Sequence, residues 1–294
     1  MKKVNFAIAS ALLFWSSAFV GIRVSLVSYT PGALALLRFI IASACMGLIY
    51  VKLPTKNKMP WRIRLQLLLI GVGAIGIYNT CLNIGELTVS AGIASFIIGI
   101  NPVLTILISI ILFKERTNLG VWIGICISML GLFLMALGGN DTNIHTEGVL
   151  IIFISTIMSA LYNLSQGYYL KNYHPIAVTS WVIWGGTLFL LYFFSDLRQE
   201  IFKANLGITL VIVYMGIFSA ALAYLCWGFV LSNIPASKAS IYAYFLPLIS
   251  TGLGFLLLGE KPSFIAFLGG VIALIGAFIA KRPPSILTTS AALR

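Results

Sequence analysis

Ala91–Arg116 reads AGIASFIIGINPVLTILISIILFKER, and Ala236–Lys261 reads ASKASIYAYFLPLISTGLGFLLLGEK. A shift of 145 residues lays one on the other, with Pro102 on Pro247 and Glu115 on Glu260, and the register continues with Gly124 on Gly269 and Gly131 on Gly276. Ala91, Ala94 and Ser95 fall on Ala236, Ala239 and Ser240; with Leu112/Leu257, Ile127/Ile272 and Phe133/Phe278 there are ten identities in the 44 positions from 91 to 134. Apolar chains match at Leu and Ile by chance, so those pairs carry little weight. The order Pro, Glu, Gly, Gly at constant spacing is the mark of an internal repeat.

The solvent around that repeat follows from composition. Of the 294 residues 60% are apolar and 9% charged, against about 25% charged in soluble domains. Disorder needs low hydrophobicity and is excluded as well, which leaves a bilayer. The net charge of +12 is no nucleic-acid footprint, because the basic residues punctuate apolar runs instead of forming a patch. Cys45, Cys81, Cys126 and Cys226 lie singly inside apolar runs, with no spacing suited to zinc or a disulfide framework; they read as buried thiols.

Apolar runs between charges predict ten transmembrane helices, at 4–26, 31–51, 65–85, 89–113, 118–138, 147–170, 176–195, 206–231, 236–258 and 263–280. Pro31, Pro60, Pro175, Pro235 and Gly138-Gly139 fall near the ends, where breakers belong; Pro102 and Pro247 fall inside spans. The apolar run after Met1-Lys2-Lys3 continues past Ala18 to Leu26, longer than a signal-peptide core, so it reads as an uncleaved first helix. With the N-terminus inside, 14 Lys and Arg lie on the cytoplasmic side and 4 (Arg23, Arg198, Lys203, Lys261) outside. The positive-inside rule therefore puts both termini in the cytoplasm. Five spans separate equivalent positions, so Glu115 faces in and Glu260 out. The fold expected is all-α, with ten helices as two inverted five-helix repeats over residues 1–138 and 147–281 and a short cytoplasmic tail at 282–294. Inverted repeats recur in secondary transporters, where the halves exchange roles to open one site to alternate sides.

The residues also carry a family likeness. Trp15-Ser16-Ser17-Ala18-Phe19-Val20, Pro31 with Leu37-Arg38-Phe39, and Ala91–Pro102 followed by Phe113-Lys114-Glu115-Arg116 resemble the EamA family of the drug/metabolite transporter superfamily. The echo at Ala236–Pro247 and Leu258-Gly259-Glu260-Lys261 extends the resemblance over nearly the whole chain. It implies ten helices, a central cavity between the repeats and export of amino acids or other small metabolites from an inner (cytoplasmic) membrane. The second repeat departs from it: aligning Pro31 with Pro175 puts Ser159 and Val182 in place of Trp15 and Arg38.

All seven acids (Glu86, Glu115, Asp141, Glu147, Asp196, Glu200, Glu260) and both histidines (His145, His174) fall at span ends or in loops. A midplane carboxylate relay is thereby disfavoured, although Glu86 could serve if it folds inward. Arg38 is the one charge well inside a span, about 10 Å from its outer end at ~1.5 Å per residue. Two readings stay open: it binds an anionic group of a substrate, or it pairs with Glu86 and locks two helices together. Buried amides must face helices or a cavity, and Asn79, Asn83, Asn101, Asn163 and Gln166 do so together with Trp15, Ser16, Tyr78, Tyr162, Tyr224, Trp227, Tyr242 and Tyr244. These residues and Arg38 are the cavity candidates, with interhelical bonding as the competing role for any single amide. Pro102 and Pro247 are hinge candidates, since each frees a carbonyl four residues earlier (Ile98 and Ala243). Gly120, Gly124, Gly131, Gly269, Gly270 and Gly276 point to close helix packing in the fifth and tenth spans.

No catalytic constellation, cofactor or metal site is indicated, and no phosphate-binding GxxxxGK[ST] loop occurs. The expectation is a carrier for small solutes in a lipid bilayer, with no nucleic-acid partner and an oligomeric state compatible with a monomer. A passive channel is the alternative, and a membrane-embedded enzyme a more distant one.

Overall fold

In a bilayer the peptide groups must be satisfied within the chain, and helices do this locally. The computed structural model describes residues 2–53, 59–113, 119–137, 146–234, 239, 242–243, 245–260 and 263–280. Among these every regular element is helical. Glu115, Tyr244, His145 and the tail at 282–294 lie outside the described residues.

We label the helices α1 (Lys2–Ser25), α2 (Pro31–Val51), α3 (Trp61–Gly85), α4 (Ala91–Gly99 and Asn101–Phe113) and α5 (Leu119–Leu137). Then come α6 (Thr146–Tyr169), α7 (Pro175–Glu200), α8 (Leu206–Asn233), α9 (Phe245–Leu258) and α10 (Phe264–Ala280). Six of them, α1, α2, α3, α6, α7 and α8, are long and apolar enough to cross a membrane. The other four contribute shorter apolar stretches within the described residues.

Local chemistry sets the ends. Pro31 and Pro175 occupy the first helical position of α2 and α7, where a missing N–H costs nothing. Ser90, His174 and Asn205 cap α4, α7 and α8 through side-chain acceptors. α9 ends at Gly259, whose φ of +67° suits glycine. α3 begins four residues before the expected 65 and α7 runs five past 195. The added turns hold charges that apolarity alone excludes, yet Arg64 bonds the Met59 carbonyl at 2.9 Å and stacks on Trp181.

Two departures from regular helix lie beside the interior cavity. α4 breaks at Ile100 and restarts at Asn101, so Pro102 sits in the first turn of a new segment instead of kinking a continuous one. Pro247 likewise sits in the first turn of α9. The second departure has no proline behind it: α3 widens into a π-helix at Val72–Ile77 and α8 at Met215–Leu222. The 145-residue shift lays the last of these π positions, Ile77, on Leu222.

The packing has the same pairing. α1 lies against α8 and α9, and α6 against α3 and α4; α2 packs on α8, and α3 on α7. Each contact becomes the other when equivalent helices are exchanged. α2–α7, α4–α9 and α5–α10 pair equivalent helices directly. In the α5–α10 pair a Cβ on Gly131 would fall 2.3 Å from the Ala273 nitrogen, and one on Gly276 would fall 2.3 Å from the Ser128 nitrogen. These two close approaches also exchange under the shift, and both need glycine.

Candidate functional site

The π turns decide what faces the interior. Directly after the turn in α3 come Tyr78, Asn79 and Leu82, and after that in α8 come Tyr224 and Trp227. The carbonyls of the α3 turn are used by side chains one turn on: Asn79 donates to Ile75 at 2.8 Å and Thr80 to Gly76 at 2.9 Å. Asn79 Oδ1 in turn accepts from Arg38 at 3.3 Å.

Arg38 is 3% exposed, its guanidinium lies 5.4 Å from the Phe39 ring centroid, and its Nε has no partner. Among the described residues no ion pair joins it to Glu86, so the lock between those two side chains is not formed. Arg38 instead borders a cavity of about 80 Å³ reached by α1, α2, α3, α4, α6, α8, α9 and Ala243 just before α9.

One wall of the cavity is aromatic. Trp15 meets Tyr224 edge-on at 5.6 Å and Trp227 at 5.3 Å, and Tyr162 lies 6.2 Å from Tyr224; all four rings line the cavity. The polar part of the lining is a pair of amides: Asn163 donates to Asn101 Oδ1 at 2.9 Å, and Asn101 reaches the Thr156 carbonyl at 3.5 Å. Asn101 stands where α4 breaks, so the proline break delivers an amide to the cavity.

Trp15, Arg38, Tyr78, Asn101, Tyr162, Asn163, Tyr224 and Trp227 of the expected set thus come together. Ser16 and Asn83 are buried but tie helices instead, Ser16 to the Leu246 carbonyl at 3.4 Å and Asn83 to the Pro31 carbonyl at 2.9 Å. Asn79 sits behind Arg38, and Gln166 is buried with both amide atoms unpartnered. Tyr242 is 36% exposed and away from the cavity. Pro102 is buried, while Pro247 lines a separate apolar groove with Phe96 and Phe267. Ser159 also lines the cavity from α6, at the position that aligning Pro31 with Pro175 lays on Trp15.

A cluster with no mark in the sequence lies where α1 ends and α4 begins. Arg23 belongs to the last turn of α1, within the expected span 4–26. Its guanidinium donates to the Glu86 and Leu87 carbonyls and pairs with Glu260 at 3.4 Å. Glu260 Oε2 also accepts from the Ala91 N–H at 3.0 Å, a carboxylate at a helix N-terminus. Arg23 and Glu260 therefore tie α1, α3, α4 and α9 together at this end. No group of His, Cys, Asp and Glu suited to a metal occurs among the described residues.

A family model described as the EamA-like transporter family matches residues 2–137 and again 146–281. The chain is 34% identical over 281 residues to "Uncharacterized transporter YdfC" of Bacillus subtilis, covering 94% of this chain and 90% of that one. It is 26% identical over 286 residues to the "Probable terminal-alkyne amino-acid exporter" of Streptantibioticus cattleyicolor, covering 96% and 94%. A crystal structure 17% identical in sequence superposes with a TM-score of 0.66 over 95% of this chain and 96% of that one, a likeness of fold.

Proposed function

The chain belongs to the EamA-like transporter family, and from that premise we propose that it is a secondary transporter working by alternating access and exporting small amphipathic metabolites such as amino acids. The observation that carries this reading is the central cavity, with one buried cation facing aromatic rings and amides. A buried guanidinium without a carboxylate partner is costly. A substrate carboxylate would supply the missing charge through the fork geometry Arg favours, and the rings of Trp15, Tyr224 and Trp227 suit the apolar part of the same solute. The relative named as an amino-acid exporter supports that class.

The mechanism proposed rests on ten spans in two inverted repeats, with both termini cytoplasmic. The twofold match of the family model, the exchanged contacts and the paired π turns support the repeat. At about 80 Å³ the cavity is small beside the roughly 300–1,000 Å³ of ligand sites, so the helices must part to admit a solute. The Arg23–Glu260 tie holds the outer end in this conformation.

Purified protein in liposomes tests the proposal. Flux of individual radiolabelled amino acids saturates for at least one of them, and Arg38→Gln raises its half-saturating concentration about tenfold, the loss of roughly 1.4 kcal/mol of binding. Absence of saturable flux for every amino acid, or an Arg38→Gln protein with unchanged kinetics, would overturn it.

A further inference from the structure

Glu86 follows the last residue of α3, is fully buried, and neither carboxylate oxygen has a hydrogen-bond partner. The charged and titratable groups facing it are Arg23 from α1, Glu260 from the turn after α9, Arg38 from α2 and Tyr78 from α3 itself. Each cation is engaged elsewhere: Arg23 holds Glu260 and two carbonyls, and Arg38 holds Asn79. An ionised Glu86 would therefore be desolvated, unbonded and close to a like charge, whereas a neutral carboxyl avoids the first and last of these costs. Burial raises its proton affinity, Glu260 adds to the effect, and Arg23 and Arg38 oppose it.

We propose that Glu86 is a proton-binding site that controls the outer end of the transporter, holding a proton while Arg23 and Glu260 tie that end shut and releasing it to water when the end opens. The release breaks the carboxyl O–H bond, leaves a carboxylate on Glu86 and passes the proton to bulk water, with no change of oxidation state. Hydration of the carboxylate then favours the open form, so a low external pH keeps the outer end closed. The site rests on the alternating-access reading above, but its test needs no transported solute.

The full chain in lipid nanodiscs is followed in two ways. Infrared difference spectroscopy across a pH titration shows a protonated carboxyl band near neutral pH. That band disappears in Glu86→Gln and persists in Glu147→Gln, which removes an exposed acid. Spin labels at Val27→Cys and Phe264→Cys, both exposed, in a background without the native cysteines then report the outer end. The wild-type distance lengthens by several ångström on alkalinisation, while Glu86→Gln stays short throughout. A neutral-pH band insensitive to Glu86, or a wild-type distance that ignores pH, overturns the proposal. If Glu86→Gln does not fold, the Glu86→Asp shift of the band makes the assignment, and the wild-type distance titration decides the gating. A protein that passes both tests yet carries no solute would contradict the transport reading alone.

Discussion

Arg38 was conspicuous in the sequence because it is the one charge deep inside a span, and the structure keeps it at the cavity with Nε unused. The amides were less legible: an amide inside an apolar span must face helices or a cavity, but only the packing separates Asn101 in the cavity from Asn83 on the Pro31 carbonyl. Truncating Asn101 removes the acceptor used by the half-buried Asn163 at 2.9 Å and so loosens the amide pair that lines the cavity. Asn101→Ala and Tyr78→Ala are therefore expected to lower initial transport rates about tenfold or more, with Gly120→Ala near wild type; equal rates in all three would put the solute path elsewhere. Arg23 shows why the cluster where α1 ends was missed. In the sequence it serves only to orient the chain, because its partners, Glu260 and the carbonyls of Glu86 and Leu87, are remote from it.

At the scale of elements, breakers with a chemical cause were legible and conformations without one were not. Proline has no N–H to give, so Pro102 and Pro247 announced a disturbance, and the structure converts the expected kink at Pro102 into a break at Ile100 with a restart. The π turns at Val72–Ile77 and Met215–Leu222 have no comparable residue signature, although such turns often mark functional sites. They aim Tyr78 and Tyr224 inward from equivalent helices. The glycines of α5 and α10 read as a packing surface, and the two helices do meet through Gly131 and Gly276. A methyl on Gly131 would fall 2.3 Å from the Ala273 nitrogen, whereas Gly47 has nothing within 4 Å. Gly131→Ala should destabilise by about 1–3 kcal/mol through overpacking and lower the thermal midpoint, with Gly47→Ala unchanged; unfolding scans in detergent distinguish them, and equal midpoints would contradict the close α5–α10 approach.

For the whole molecule, the two inverted repeats remain a proposal, and the helix contacts and the π turns at Val72–Ile77 and Met215–Leu222 are what it would require. The charges divide the two ends of the cavity. One end holds the Arg23–Glu260 pair, and the 145-residue shift places Leu231 opposite Glu86, so under the alternating access proposed above the two ends would open under different control. In the orientation proposed, a cysteine at Val27 reacts with an impermeant maleimide added to intact cells and one at Lys171 does so only after permeabilisation; the reverse labelling would invert the whole assignment. Alternating access itself is tested most directly by counterflow. Liposomes containing the protein, preloaded with an excess of an unlabelled transported amino acid and diluted into a trace of the labelled one, should accumulate label transiently above equilibrium, because each return of the carrier is faster when loaded. Label that rises only to equilibrium, with flux linear in concentration, would identify an open pore and contradict the carrier.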